Sequence, residues 1–178
     1  MEGSKPGAAA ASIWFTHKMI PLNSDGFGTQ LLSLCQLAQE FYKKMESLRG
    51  SSANVELVPL FSPETNVLAF VVVSKKGKSL AQTNRLTHGL YQRFGVRAVP
   101  SIQSYDYIVS HTRAGGDSPI FAHPSLISLE RERDEPLEIV RIVIMNRWLS
   151  GKSSAGTNYI DEFLSLAYEV AEDLIYNV

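Results

Sequence analysis

The strongest strand signal in the chain is Leu137-Glu138-Ile139-Val140-Arg141-Ile142-Val143-Ile144-Met145. Successive side chains of a strand point to opposite faces. Arg141 therefore shares its face with Leu137, Ile139, Val143 and Met145, while Val140, Ile142 and Ile144 fill the other. The pattern predicts that the guanidinium of Arg141 points toward an otherwise apolar layer.

A cation in such a layer needs a partner, because an unpaired buried charge costs several kcal/mol. Arg141 must meet a protein carboxylate, or a ligand carboxylate or phosphate that its planar fork can hold with two bonds. Glu138 lies on the opposite face of the strand and is poorly placed for this. A structural ion pair with a residue such as Glu56 or Asp106 and a contact to a ligand remain equal alternatives.

Other strand and helix signals surround this segment. Residues 55–60 and 67–73 are rich in β-branched side chains and flank a turn-like segment, so they predict an antiparallel hairpin. Residues 105–112 predict a third strand. Helical periods predict a helix from Pro6 to Pro21, one over 31–45 that closes at Gly50, one over 80–94 and one over 160–174.

The order of these elements predicts an α+β fold with a mostly antiparallel sheet of about four strands. Its helices are expected to pack on one face, and two helices precede the sheet. We expect residues 1–50 to be linking helices that pack on an absent larger domain, and residues 51–178 to form a small α+β domain.

Composition excludes several classes of protein. The chain has 178 residues, of which 44% are apolar and 20% charged, with a formal net charge of −1. This predicts a globular protein without the basic field that nucleic acid or an anionic membrane would require. There is no secretory leader pattern, and the single Cys35 is expected to be a small buried hydrophobe rather than a nucleophile. A cytoplasmic location fits these features.

The amino-terminal turn, Gly3-Ser4-Lys5-Pro6, precedes an alanine-rich helix that we expect to be buried. A helix start without an element before it suggests a cut through a larger fold. Ser4 is a candidate phosphate contact, because the first N–H groups of a helix attract anions. A simple capping role for Ser4 is the favoured alternative.

The four histidines give weaker signals. The His17-Lys18 pair lies at a helix end, where cations are favoured without any catalytic purpose. His88 lies within a helix and His123 in a loop. His111 lies near a strand end, where side chains often face a cleft, but the sequence shows no acid partner for it. Because no spacing fits a metal template, the sequence predicts no metal site.

Several of these segments together resemble group II amino acid decarboxylases that depend on pyridoxal phosphate, and bacterial tyrosine decarboxylases most of all. The resemblance covers nearly the whole chain, as the carboxyl-terminal portion of such an enzyme. It rests on residues 3–10, Trp14, 16–18, 20–22, 26–28, 84–86, 110–112, 118–119 and 140–145.

The resemblance implies the small domain of a fold-type I enzyme that works as a homodimer or with an N-terminal catalytic domain. The family releases the substrate carboxylate as carbon dioxide, and the pyridoxal ring accepts the electrons. By the resemblance, Ser4 would contact the cofactor phosphate of the neighbouring subunit, and Arg141 would bind the carboxylate of a small amino acid, tyrosine or another aromatic one.

In the family, the lysine that binds the cofactor covalently lies upstream of the Gly3-Ser4-Lys5-Pro6 turn. The resemblance therefore places this lysine outside the chain and implies that Lys18 does not bind the cofactor. We therefore expect the chain to be inactive alone, with no catalytic residue of its own. The alternative is a stand-alone, non-catalytic binding or dimerisation module of the same ancestry.

Overall fold

A computed structural model describes residues 7–77, 79–96, 107–150, 156 and 158–176 of the protein. Four longer helices and four strands form its framework, with short helical turns at Ser24–Gly28, Pro119–Ala122 and Arg147–Ser150. In chain order the framework is α1 (Gly7–Met19), α2 (Thr29–Ser47), β1 (Val55–Pro59), β2 (Val67–Ser74), α3 (Leu80–Phe94), β3 (Ser110–Ala114), β4 (Leu137–Val143) and α4 (Tyr159–Tyr176).

The four strands form one antiparallel sheet in the order β1-β2-β4-β3. The predicted hairpin is the β1–β2 pair, in which Val55 faces Ser74 and Pro59 faces Phe70. The third strand begins at Ser110, later than predicted, and Tyr105 and Asp106 lie outside the described residues. This arrangement confirms the predicted α+β class.

Helices α2, α3 and α4 cover one face of the sheet and form the larger core. Phe70 and Leu90 are fully buried there, and the ring of Phe163 packs 5.6 Å from those of Phe41 and Phe94. Each of these helices has an apolar stripe at the spacing that the sequence predicted. The helices therefore lie on one side of the sheet, as expected.

The opposite face of the sheet is covered by the segment between β3 and β4. Phe121, Leu126 and Leu129 of this segment pack on Leu137 and Ile139 of β4, among other residues of a second buried cluster. This cover reaches only the first half of β4, since Val143 is 41% exposed and Met145 is 82% exposed on the same face. Arg141 lies in the second half of β4, beyond the residues that the segment covers.

The turn between α1 and α2 is tightly built. The side chain of Asn23 accepts hydrogen bonds from the N–H groups of Asp25 and Gly26, at 3.1 and 2.9 Å. A Cβ at Gly26 would lie 2.0 Å from the carbonyl oxygen of Pro21, so only glycine allows the backbone to approach this closely.

The expectation that α1 is buried is wrong within this chain, because its residues are exposed from Gly7 to Met19.

Candidate functional site

Arg141 lies in the middle of the sheet but at the open end of its face. Its neighbours there are Ala69 of β2 and Ser110 of β3, which are its register partners. The side chain is exposed. The prediction that its guanidinium enters an apolar layer is therefore wrong in this chain, since the covering segment ends before it reaches Arg141.

The guanidinium of Arg141 is held by one neighbour. Its Nε donates to the hydroxyl of Ser110 at 3.1 Å, and this hydroxyl donates to the carbonyl oxygen of Arg141 at 2.9 Å. No carboxylate among the described residues forms an ion pair with Arg141. Glu56, one of the two acids proposed for that role, binds Arg49 instead, and Asp106 lies outside the described residues. The terminal nitrogens of Arg141 are thus available to an anion, as far as the described residues show.

Other predicted site residues have different outcomes. Ser4 lies outside the described residues, so its phosphate contact stays a prediction. His17 and Lys18 lie on exposed α1, where the Nζ of Lys18 is 5.7 Å from the centre of the Trp14 ring. Cys35 is half-buried on α2 rather than fully buried. These positions give Lys18 no desolvated surroundings of the kind that covalent chemistry requires.

His111 has the acid partner that the sequence did not reveal. It points to the helix-covered face of the sheet, as Glu138 does, and its Nε2 contacts Oε2 of Glu138. The other carboxylate oxygen, Oε1, accepts from Nε of Arg113 at 2.6 Å. Tyr91 of α3 stacks on His111 with 4.9 Å between ring centres. The β3–β4 register, in which Arg113 faces Glu138, brings these groups together. Knowledge of this register would have been needed to predict the acid partner of His111.

An apolar groove lies beside the end of β4 and does not include Arg141. It has a volume of about 650 Å³, and the aromatic residues that line it are Phe41, Tyr107, Trp148, Tyr159 and Phe163. The hydroxyl of Tyr107 donates to the carbonyl oxygen of Tyr159 at 3.2 Å across it. The groove and Arg141 are therefore separate features near the carboxyl-terminal end of β4.

The tyrosine decarboxylase C-terminal family matches residues 37–167. This is more than half of the chain and includes all four strands, α3, Arg141 and its hydrogen-bond partner Ser110. The chain belongs to this family. The resemblance noted in the sequence is thereby confirmed.

Curated relatives of this decarboxylase family agree with the match. An L-tyrosine decarboxylase of Levilactobacillus brevis is 30% identical over 162 residues, which is 86% of this chain and 26% of the relative. One from Enterococcus faecalis (strain ATCC 700802 / V583) is 28% identical over 160 residues, covering 85% of this chain and 26% of the relative. The chain therefore spans about a quarter of the length of these relatives.

A membrane-spanning helix needs about 20 predominantly apolar residues. Among the described residues, no helix has the length and apolar character that crossing a membrane requires.

Proposed function

We propose that the chain is the carboxyl-terminal part of a pyridoxal-phosphate-dependent L-amino acid decarboxylase acting on tyrosine or another aromatic amino acid. Within it, Arg141 binds the carboxylate of the substrate. The observation that carries this role is the exposed guanidinium of Arg141, tied at Nε by Ser110 and with no acid partner among the described residues. A guanidinium that is held at Nε can still form two hydrogen bonds to a carboxylate through its other nitrogens.

A central strand suits such a role. Arg141 is bonded through β4 to both β2 and β3, so its backbone is fixed on two sides. Interactions that orient a substrate require this kind of rigid support, because small displacements of the reacting group reduce the rate strongly. The activity of the relatives, L-tyrosine decarboxylation, favours an amino acid carboxylate as the anion.

The described residues do not fit the covalent anchor of the cofactor. A lysine that forms an imine needs a desolvated or charge-depressed amine, and the described lysines, at positions 18, 43, 44, 75 and 76, are all exposed or half-buried. We therefore assign this lysine to a part of the enzyme outside the chain. Ser4 is our proposed contact to the cofactor phosphate, and the isolated chain is expected to be inactive.

A cofactor-binding experiment tests this assignment. Pyridoxal phosphate is added to the purified chain, borohydride is added to fix any imine, and the products are mapped by mass spectrometry. We expect no specifically labelled lysine. Stoichiometric labelling of Lys18, or of any other lysine in the chain, would contradict the assignment.

The role of Arg141 is tested in the complete decarboxylase that contains this chain. Arg141→Lys is expected to lower kcat/KM for tyrosine about 10- to 100-fold, because a point charge replaces a two-bonded fork. Arg85→Lys, at an exposed position of α3, is the matched control and should leave kcat/KM unchanged. Equal kcat/KM for the two variants would refute the clamp.

A mixing experiment distinguishes the enzyme fragment from the stand-alone, non-catalytic module. The purified chain is combined with a polypeptide that carries the upstream portion of the enzyme, and decarboxylation is measured. Recovered activity supports the enzyme fragment. Absence of both activity and complex formation supports a stand-alone module of the same ancestry.

The partner that we propose is the rest of the decarboxylase, either upstream in the same subunit or in the second subunit of a homodimer. Exposed α1 supports this, since Ile13, Trp14 and Phe15 are each about 60% exposed in the chain. Contiguous apolar surface of this kind marks an interface rather than a solvated face.

A further inference from the structure

Two histidines and one carboxylate meet where α3 crosses β3 and β4. His111 and Glu138 point from the strands toward the helix, and His88 lies on the helix above them. One donor atom of each of the three residues lies within 4.8 Å of the other two. None of these residues is needed for the carboxylate-binding role of Arg141, which lies on the other face of the sheet.

His88 has an unsatisfied ring nitrogen. Its Nε2 lies 3.1 Å from Nε2 of Gln92, whereas Nδ1 is buried and has no hydrogen-bond partner among the described residues. A buried polar atom without a hydrogen-bond partner is rare in folded proteins, and a bound ion is one arrangement that satisfies it. If the amide of Gln92 is turned over, its oxygen accepts from Nε2–H and the lone pair of Nδ1 is free to bind a cation.

The carboxylate is already oriented by its neighbours. Arg113 holds Oε1 of Glu138, and Asn84 of α3 accepts from the backbone N–H of Glu138 at 2.8 Å. This leaves Oε2 directed at His111. Hydrogen bonds that fix a ligating carboxylate are a typical outer-shell feature of metal sites. The ring of Tyr91 stacks on His111 and restricts its orientation.

The donor set also identifies the kind of ion. Two imidazole nitrogens and one carboxylate oxygen are the donors of three-ligand zinc sites, which keep one position open. Zinc bonds of about 2.0–2.1 Å place tetrahedral donors roughly 3.3 Å apart, so binding requires the direct contact between Nε2 of His111 and Oε2 of Glu138 to open and His88 to close on the ion. The side chain of Arg113 is 63% exposed, and solvent therefore weakens its repulsion of a cation.

We propose that His88, His111 and Glu138 bind one Zn²⁺ ion at the contact between α3 and the β3–β4 pair. The linear spacing of these residues matches no zinc motif, which is why the sequence predicted no metal. The ion joins the helix to two strands and stabilises their packing by mass action. This inference does not depend on the proposed decarboxylase function, because the binding is measured on the chain without substrate or cofactor.

The first test is a titration of the metal-free chain with Zn²⁺ at neutral pH against a chromophoric competitor. We expect one ion per chain, and at least a roughly tenfold weaker affinity in His88→Ala, His111→Ala and Glu138→Gln. His88→Ala is the decisive variant, because His88 is half-buried and can be removed without breaking the Arg113–Glu138 pair. His123→Ala and Cys35→Ser are controls outside the cluster and should bind as the unmodified chain does.

A second measurement distinguishes a built site from adventitious binding. Co²⁺ in place of Zn²⁺ should give the intense visible bands of a four-coordinate ion, and His88→Ala should lose them. Zn²⁺ should also raise the Tm of the unmodified chain and not that of His88→Ala. The proposal is overturned by a stoichiometry well below one, by equal affinities for His88→Ala and His123→Ala, or by the faint bands of a six-coordinate ion.

Discussion

Ser110 and Arg141 face each other on β3 and β4, and one hydroxyl group joins them twice. The hydroxyl of Ser110 donates to the carbonyl oxygen of Arg141 at 2.9 Å and accepts from its Nε at 3.1 Å. Both capacities of the hydroxyl are thereby used within one residue pair. The result is a guanidinium that is fixed at Nε and, among the described residues, has no partner at its terminal nitrogens, which is the arrangement that a carboxylate clamp requires.

The first prediction is that Ser110→Ala weakens substrate binding in the complete decarboxylase proposed above. Removal of one hydrogen bond to a cation at an exposed position should raise KM for the amino acid about threefold to tenfold, with a smaller change in kcat. Steady-state kinetics measures the two parameters separately. The reason is that Ser110 acts as a positioning residue, whereas Arg141 is proposed to touch the substrate.

Two variants accompany this measurement. Thr112→Ala removes a hydroxyl from the same face of β3 without touching Arg141 and should leave KM unchanged. Ser110→Thr keeps the hydroxyl and should restore KM. An unchanged KM in Ser110→Ala, or a Thr112→Ala variant that matches it, would remove Ser110 from the site.

Much of the fold could be predicted because its signals are local. The bounds of α3, Leu80–Phe94, agree with the apolar period and with the closing Gly95, and the capping hydroxyl of Ser79 accepts from the N–H of Gln82. The β1–β2 hairpin follows from two β-branched runs around one turn. Such features depend on neighbouring residues alone, so a single sequence contains them.

The candidate site was harder to predict because its contacts are not local. Alternation along β4 gives the face on which Arg141 lies, but not that the cover formed by Phe121 and Leu129 stops short of it. Similarly, Glu138 is separated from His111 by 27 residues, and only the β3–β4 register brings them together. Burial and pairing at such distances are decided by tertiary packing.

The β2–β4 ladder ends where α3 supplies a hydrogen bond. The register between these strands stops at Phe70 and Val140. Beyond that point the backbone N–H of Val72 donates to Oγ1 of Thr87 at 2.9 Å, and both residues are fully buried. A helix side chain therefore replaces the bond that a strand partner would have made.

The second prediction concerns this bond. Thr87→Val keeps the shape of the side chain but leaves the N–H of Val72 buried without a partner, and it should lower the free energy of unfolding by about 1–3 kcal/mol. Urea unfolding measures the change. Hydrogen exchange at the amide of Val72 should become faster than in the unmodified chain.

The controls for this prediction lie on the same helix. Thr87→Ser keeps the hydroxyl and should cost less than Thr87→Val. Thr83→Val replaces another buried threonine of α3, one whose hydroxyl forms no described hydrogen bond, and should have little effect. A Thr87→Val variant within about 0.5 kcal/mol of the unmodified chain would show that the bond contributes little.

The third prediction concerns the apolar surface of α1. Trp14 is 63% exposed in the chain, and the proposal above places it against the rest of the decarboxylase. In a Trp148→Phe background, the fluorescence of Trp14 is obtained as the difference from a Trp14→Phe variant. Acrylamide should quench this difference signal strongly in the chain alone and weakly in the complete enzyme. Equal quenching in both would show that α1 faces solvent in the enzyme as well, and would contradict the proposed interface.

The fourth prediction is a loss of stability in mild acid that depends on His123. Burial lowers the pKa of His123 below its ordinary 6.5, the cation of Arg49 lowers it further, and Glu46 opposes them. The neutral ring also has a structural role, because its Nδ1 accepts from the N–H of Ser125 at 3.2 Å. Protonation of the native state is therefore disfavoured.

The direction in which stability changes with pH depends on whether the native or the unfolded state binds the proton first. As the pH falls through 6.5, the unfolded chain protonates at His123 before the native chain does, because the pKa of His123 is lowered in the native state, so the free energy of unfolding decreases. Above 6.5 both states are neutral at this residue and it contributes no pH dependence. Urea unfolding between about pH 8 and pH 5 should show the decrease, and a His123→Gln variant should show a shallower one. His17→Gln on exposed α1 should keep the slope of the unmodified chain, and a His123→Gln slope equal to it would assign the acid sensitivity to other groups.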